Sequence, residues 1–450
     1  MRASWIAFAF ALGACSDAVT LTIAGDRPIP TGLDAICVGV AAPSGEGFGR
    51  DYRLEGALDH LPQTLRVEAG GADTAWAWVR GDRGGAPVAR AAAAIDFSGD
   101  VTLALDACER GPAGTPAQRG DAVGPGAAHL AASQGAGGTL VVAIADGAAA
   151  IIDARDGALV ADAAPAAPDG HVEGVIAADL DGDCDDDLVI ATDAAPPEVW
   201  RRDGASFTDA GTLGTAVASA IAAADVDRDG DLDLVVGGGG ALALFRNDGS
   251  GTYTRDAAAL DGAGRVAAVS ALALGDLDGD GNPDLVVGQT RTQAGDAQPL
   301  VAWLGEPGGT GSFNPADGAV PAVPLDVVAL TLADADGDFD PDLAVAVNGA
   351  PLRLYIDRDG LLEDQSFVRL PQPAPIASAV AFGGWDDGCE PDAVIAAAAG
   401  SQLLRGTPTD AFAAEGAAPA ATDVVLADID DDGDLDAILA TPDGVVWLAR

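Results

Sequence analysis

Apolar positions in this chain fall in short runs of four to seven residues between turn-forming Gly, Asp and Pro clusters, and no long stretch carries the 3.6-residue periodicity of an amphipathic helix. From about residue 127 onward one unit recurs: a small-residue apolar strand, an Asp-rich loop of nine positions, and a Leu-Val-Val-like strand. A third strand follows, ending in a turn, as in Leu242-Ala-Leu-Phe-Arg-Asn-Asp-Gly249 and Leu352-Arg-Leu-Tyr-Ile-Asp-Arg-Asp-Gly360. An aromatic residue then recurs at Phe207, Tyr253, Phe313, Phe367 and Phe412. The loops start at residues 179, 225, 276, 334, 384 and 428, which is the spacing of one four-stranded propeller blade per repeat. Upstream, Thr139-Leu-Val-Val-Ala-Ile144 and Ala150-Ile-Ile-Asp-Ala-Arg-Asp-Gly157 read as the second and third strands of a seventh unit without its Asp loop. Seven units can close into a ring, which removes exposed sheet edges. The last unit ends one strand short after Val445-Val-Trp-Leu448, and a strand from near the linker is expected to complete it.

The first part of the chain is patterned differently. Apolar runs at Val19 to Ile23, Ile36 to Val40, Leu65 to Val67, Trp76 to Val79 and Val101 to Leu105 alternate with turn clusters and predict a small β-sandwich over residues 16–109. Cys37 and Cys108 lie in its third and last portions, where a disulfide would staple the sheets. Residues 110–126, rich in Gly, Pro and Ala, form a linker, and residues 127–450 the propeller. The fold expected is thus all-β: a seven-bladed β-propeller preceded by a small β-sandwich. Arg80-Gly81-Asp82 falls in what reads as a Gly-rich turn, and in a chain this rich in Gly and Asp its occurrence by chance is the better account.

Composition narrows the function. With 23 Lys and Arg against 70 Asp and Glu, and a net charge of -47, the chain is ill suited to nucleic acid and well suited to cations. Its 49% hydrophobic content is too high for a disordered acidic chain. Arg2, the apolar run from Trp5 to Leu12 and the small residues up to Cys15 read as an export signal over residues 1–15, too short to span a bilayer as a helix. Beyond Cys15 the cysteines are Cys37, Cys108, Cys184 and Cys389, an even number that suits an oxidising compartment, with no C-x-x-C pair for zinc.

The loops carry the chemistry. Asp at positions 1, 3, 5 and 9, with a backbone carbonyl at position 7, supplies hard oxygen ligands at a spacing that wraps one large cation. Calcium takes about 6–8 such oxygens, whereas magnesium is smaller and strictly octahedral. An EF-hand needs Glu at position 12 and flanking helices, but position 12 here is Ile190, Val236, Val287, Val345 or Leu439, inside an apolar strand. Carboxylates this close would repel without a cation, so calcium is expected to act as a folding cofactor at about five sites.

The pattern D-x-D-x-D-G-x-x-D followed by L-V-V, in five good copies, resembles the FG-GAP/VCBS repeat of integrin-α-like calcium-binding propellers over the C-terminal two-thirds of the chain. Carried over by position, the resemblance implies as ligands Asp179, Asp181, Asp183, Asp185 and Asp187 in the first loop, and Asp225, Asp227, Asp229, Asp231 and Asp233 in the second. It implies Asp276, Asp278, Asp280, Asn282 and Asp284 in the third, Asp334, Asp336, Asp338, Asp340 and Asp342 in the fourth, and Asp428, Asp430, Asp432, Asp434 and Asp436 in the last. Cys184 and Phe339 replace the Gly at position 6 that is expected to make a left-handed turn. The copy from Gly384 to Asp392 keeps only Asp386, Glu390 and Asp392 as candidate ligands and is expected to bind no ion. Leu12-Gly13-Ala14-Cys15 resembles a bacterial lipobox, which implies a diacylated Cys15 and an extracytoplasmic, lipid-anchored protein of the cell envelope, with Ser16 compatible with the outer membrane.

For catalysis the sequence offers little. His60, His129 and His171 sit in unrelated contexts, no G-x-S-x-G elbow or P-loop appears, and the clustered carboxylates are committed to the loops. A binding, adhesion or scaffold module with a surface protein or carbohydrate partner is therefore expected rather than an enzyme. A carbohydrate-active or other secreted enzyme using the propeller as scaffold is the alternative. Trp200, Trp303, Trp385 and Trp447 recur at corresponding positions and read as core more readily than as a sugar platform. Cys184 and Cys389 share a loop position and could pair only outside a closed ring.

Overall fold

Strands form where the apolar runs lie, and they pair with their neighbours in sequence because each connection is short. The computed structural model describes residues 6–7, 18–24, 35–41, 47–53, 61, 63–68, 75–83, 86–95, 100–104, 106–107, 117–118, 122–123, 126, 129–133, 140–146, 148–153, 160, 165, 169–181, 186–203, 206–229, 231–260, 266–280, 282–291, 295–336, 340–358, 360–383, 391–407, 411–427 and 435–449. The chain is all-β, and no helix among the described residues is long and apolar enough to cross a membrane.

Two sheets precede residue 110. One runs Ile6–Ala7, Gln63–Glu68, Ala18–Ala24, Val101–Ala104; the other runs Gly47–Arg53, Ala35–Ala41, Ala75–Arg83, Ala86–Ile95, Asp106–Ala107. Val19, Leu21, Ile23, Ile36, Val38, Val79, Ile95 and Leu103 are buried at alternate positions along these strands, as half-buried strands require. Arg80-Gly81-Asp82 is not in a turn: it belongs to the strand Ala75–Arg83, paired on both sides, with a bulge at Gly81/Asp82. The apolar run from Trp76 to Val79 continues as strand through Gly81, and the glycine sits at the bulge. Cys37 lies in a strand, but Cys15, Cys108, Cys184 and Cys389 lie outside the described residues, and so does the Cys37–Cys108 pairing.

After residue 117, seven antiparallel sheets of three or four strands follow one another among the described residues, beside a two-stranded pairing of Gln298–Pro299 with Pro324–Leu325. The first is His129–Ser133, Leu140–Ala145, Ala148–Asp153. The second is Val172–Ala178, Asp187–Thr192, Glu198–Asp203, Ser206–Thr212, and the third Ala220–Ala224, Asp233–Gly238, Ala241–Arg246, Thr254–Asp256. The fourth is Val269–Gly275, Asp284–Gln289, Val301–Gly305, Phe313–Pro315, and the fifth Val327–Ala333, Asp342–Val347, Ala350–Ile356, Glu363–Asp364. The sixth is Ala379–Gly383, Asp392–Ala396, Ser401–Arg405, Ala413–Ala418. The seventh, Asp423–Ala427, Asp436–Thr441, Gly444–Ala449, gains its fourth strand from Ala117–Gln118, as its missing strand led one to expect.

The second strand of each unit is a continuous apolar run because both its faces are covered: Asp187–Thr192, Asp284–Gln289, Asp342–Val347 and Asp436–Thr441 are buried at every position. First strands such as Ala220–Ala224 are built of small residues, which lets them approach one another closely. Each first strand touches that of the next sheet, and Asp423–Ala427 of the seventh touches His129–Ser133 of the first, so the order of neighbours is cyclic. The cores lie between sheets. Leu188, Ile190 and Trp200 pack with Val142 and Ile151 between the first and second, and Ile438, Val445 and Trp447 pack with Val141 and Ile152 between the seventh and first.

Candidate metal centres

Each nine-position loop joins the first strand of a sheet to its second. The alternate Asp residues are drawn together by their own backbone: the Asp229 amide donates to Asp225 Oδ1 (3.1 Å) and Asp227 Oδ1 (3.3 Å), and the Asp231 amide donates to Asp229 Oδ1 (3.0 Å). In the next loop the Asp280 amide donates to Asp278 Oδ1 (3.2 Å) and the Asn282 amide to Asp280 Oδ1 (2.8 Å). Such short side-chain-to-backbone bonds curl the chain so that carboxylates at i, i+2 and i+4 face one point. Two such sets, Asp225, Asp227 and Asp229 and Asp276, Asp278 and Asp280, have oxygens within 4.8 Å of one another among the described residues, and in the next loop Asp334 and Asp336 are joined to the same closeness by Asp342 at position 9.

Among the described residues, position 4 of two loops is left-handed. Gly279 has φ +70° and Arg228 has φ +61°. Position 6 of every loop lies outside the described residues, as do Asp183, Asp185, Asp338, Asp428, Asp430, Asp432 and Asp434 and the degenerate stretch 384–390.

Position 9 does more than the pattern implied. Asp187, Asp233, Asp284, Asp342 and Asp392 each accept, through Oδ1 at 2.8 Å, the amide of the residue at the end of the third strand: Arg202, Asn247, Gly305, Asp357 and Gly406 respectively. Oδ2 of Asp187, Asp284 and Asp342 accepts the amide of position 2, at Leu180, Leu277 and Ala335. This carboxylate therefore closes the loop and ties it to the third strand, and it keeps the tie to the third strand at Asp392, where Gly384 and Gly388 vacate two of the other ligand positions. Burial pushes Asp233 and Asp284 up to about 7 and Asp342 up to about 8; the amide hydrogen bonds hold them back and the neighbouring carboxylates push further. Burial and then Asp229 also raise Asp227 and Asp231.

The loops fit a hard cation. Asp181 Oδ1, Asn282 Oδ1 and Asp336 Oδ1 are buried acceptor oxygens that meet no donor. An acceptor buried without a donor is costly, and a cation among the clustered oxygens would satisfy it. All-oxygen donor sets of this kind suit calcium.

Arginines were not foreseen at these loops. Arg201 Nη1 lies 3.3 Å from Asp181 Oδ2, Arg246 Nη1 lies 2.9 Å from Asp227 Oδ2, and both Arg358 and Arg369 Nη2 lie 2.9 Å from Asp336 Oδ2. The signal for the first two was an Arg at the end of the third strand, in Trp200-Arg-Arg202 and Phe245-Arg-Asn247. Trp200, Trp303 and Trp447 are buried between sheets, so those three do not form a sugar platform. His129 Nε2 lies 3.1 Å from the Val172 carbonyl and His171 Nδ1 lies 2.9 Å from Asp146, so both histidines join the first and second sheets; His60 lies outside the described residues.

Residues 179–236 and 225–287 match the model of the FG-GAP-like repeat. No curated protein matches the sequence. Among solved structures, the crystal structure of BBS1N in complex with ARL6DN, soaked with lead, is 12% identical, with 75% of this chain and 97% of that chain covered and a TM-score of 0.51. The extracellular domain of a one-component system from B. thetaiotaomicron is 12% identical, with 74% and 39% covered and a TM-score of 0.49. The computationally designed Ika8 protein is 15% identical, with 74% and 100% covered and a TM-score of 0.45. At these identities the first likeness bears on the fold alone.

Proposed function

We propose that this FG-GAP repeat protein is a calcium-stabilised, seven-bladed β-propeller of the cell envelope that displays its loops to a surface protein or carbohydrate, without catalysing a reaction. The observation that carries the reading is the convergence of three carboxylate sets in the third, fourth and fifth sheets, beside buried acceptor oxygens that meet no donor. The propeller is supported by the cyclic order of first strands and by apolar cores between successive sheets, the seventh and first included. Calcium is the cation favoured by an all-oxygen donor set and by an environment where it is abundant. Export and anchoring through Cys15 rest on the apolar run from Trp5 to Leu12 and the small residues before the cysteine.

The test is the thermal midpoint of residues 16–450 in excess calcium, in excess magnesium and after chelation. A calcium-specific rise that grows with concentration is expected, as for any ligand that binds only the folded state. An unchanged midpoint would overturn the metal reading. Anchoring is checked separately by incorporation of labelled fatty acid into the full chain, which Cys15→Ser should abolish.

A further inference from the structure

The loops differ at the carboxylate of position 3. In the second sheet Arg201 pairs with Asp181, and in the third Arg246 pairs with Asp227 and, at 3.3 Å, with Asp233. Both arginines hold the same place in their strands, one residue before the amide that donates to position 9: Arg202 to Asp187 and Asn247 to Asp233. In the fourth sheet that amide belongs to Gly305, bonded to Asp284, and the residue before it is Leu304. Asp278, at position 3 there, accepts the Asp280 amide and has no arginine within ion-pair distance among the described residues. The same loop holds Asn282, 3% exposed, whose Nδ2 donates to Asp280 Oδ1 at 2.7 Å and whose Oδ1 meets no donor.

The arginines also cross to the next sheet. Arg201 donates to the Ser250 carbonyl, and Arg246 to the carbonyls of Thr310 (3.2 Å) and Gly311 (2.5 Å), both in the turn before the outermost strand. A guanidinium so held cannot leave freely when a cation arrives, because its remaining donors are fixed to backbone acceptors.

We propose that Arg201 and Arg246 are resident counter-cations that weaken calcium binding in their own loops, so that the loop Asp276–Asp284, where Leu304 replaces the arginine, is the tight calcium site among these three. The inference rests on the calcium reading above and assigns a rank order to its sites. A guanidinium on the position-3 carboxylate occupies lone pairs that a metal needs and places a positive charge beside a divalent ion. The same contact stabilises the calcium-free loop and clasps it to the following sheet. The two effects have opposite signs, which separates this role from a merely structural one.

The experiment is a calcium titration of the full chain by calorimetry, alongside Arg246→Gln, Arg201→Gln, Leu304→Arg and Asp278→Asn, with thermal midpoints in chelator. Wild type should bind in at least two affinity classes, and Asp278→Asn should remove the tight class. Each Arg→Gln variant should lower the midpoint in chelator yet tighten one weak site by about tenfold or more. Leu304→Arg should weaken the tight class by a similar factor. Calcium binding by wild type with affinities unmoved or weakened in both Arg→Gln variants would overturn the proposal and leave the calcium reading intact. Absence of calcium binding by wild type would overturn both.

Discussion

Arg228 is the residue where local backbone and sequence disagree most openly. It holds φ +61° at loop position 4, where the following sheet has Gly279 at φ +70°. A left-handed conformation costs an L-residue roughly 1–2 kcal/mol, of which a glycine avoids most while losing some entropy from the unfolded chain. Arg228→Gly is therefore expected to stabilise the protein by about 0.5–1 kcal/mol in urea denaturation, and a loss of stability would show that its side chain packs favourably. That position 4 is left-handed was not legible in the sequence, where the recurrent Gly at position 6 drew attention; position 6 itself lies outside the described residues. Position 4 varies between Gly, Arg and Asp across the loops, so its backbone demand is masked by what the side chains tolerate.

At the scale of the element, the apolar runs and their spacing were enough to locate the strands and the loops between them, because buried second strands must be continuous and apolar. The acidic positions were also visible, and position 9 was legible as the start of the second strand, but not its hydrogen bonds to the third. Positions 1, 3 and 5 converge in two loops and positions 1, 3 and 9 in a third, and position 9 is also buried and bonded to backbone amides of its own loop and of the third strand. Nothing in an Asp marks whether its oxygens will face a cation or an amide, since that depends on the third strand, some 15 to 20 residues away. The degenerate sixth unit separates the two roles. Asp392 is 1% exposed and accepts the Gly406 amide at 2.8 Å although Gly384 and Gly388 vacate two ligand positions of that loop. Asp392→Ala should cost roughly 1–3 kcal/mol, the penalty for a buried amide left without its acceptor. The loss should be equal in calcium and in chelator, and Asp392→Asn should recover part of it. A loss seen only in calcium would make Asp392 a metal ligand instead.

In the whole molecule, stability depends on joints between successive sheets, and the joint that closes the cycle is the least local. Between the first and second sheets the joint is partly electrostatic. Hydrogen bonding to His171 holds Asp146 below the usual carboxylate range, and hydrogen bonding to Asp146 raises His171 above its ordinary 6.5. The histidine's contribution is complete below its unfolded pKa and is lost as pH rises through the raised folded value. The carboxylate's is complete above its unfolded value near 3.8 and is lost as pH falls, so the pair acts between them. The His171 imidazole resonances should titrate above 6.5 and move back toward it in Asp146→Asn; an unmoved midpoint would mean that another group sets it.

The seventh and first sheets are joined by apolar packing and by Asp423 Oδ2, which accepts the Leu130 amide at 3.0 Å, and the seventh takes its outer strand from Ala117–Gln118, with Val123 and Val445 exchanging amide hydrogen bonds at 3.0 and 2.8 Å. That strand was foreseen only as a vacancy in the seventh unit, since two residues in a Gly- and Pro-rich stretch carry no strand signal of their own. Its importance follows from what its absence would expose: the edge of Gly444–Ala449, a run of unpaired amides and carbonyls beside apolar side chains, open to pairing with a second chain. A protein begun at residue 110 should remain monomeric by light scattering, whereas one begun at residue 127 should melt earlier and self-associate. Equal behaviour of the two would mean that the cycle holds through the joint of the seventh and first sheets alone and that the borrowed strand only covers it.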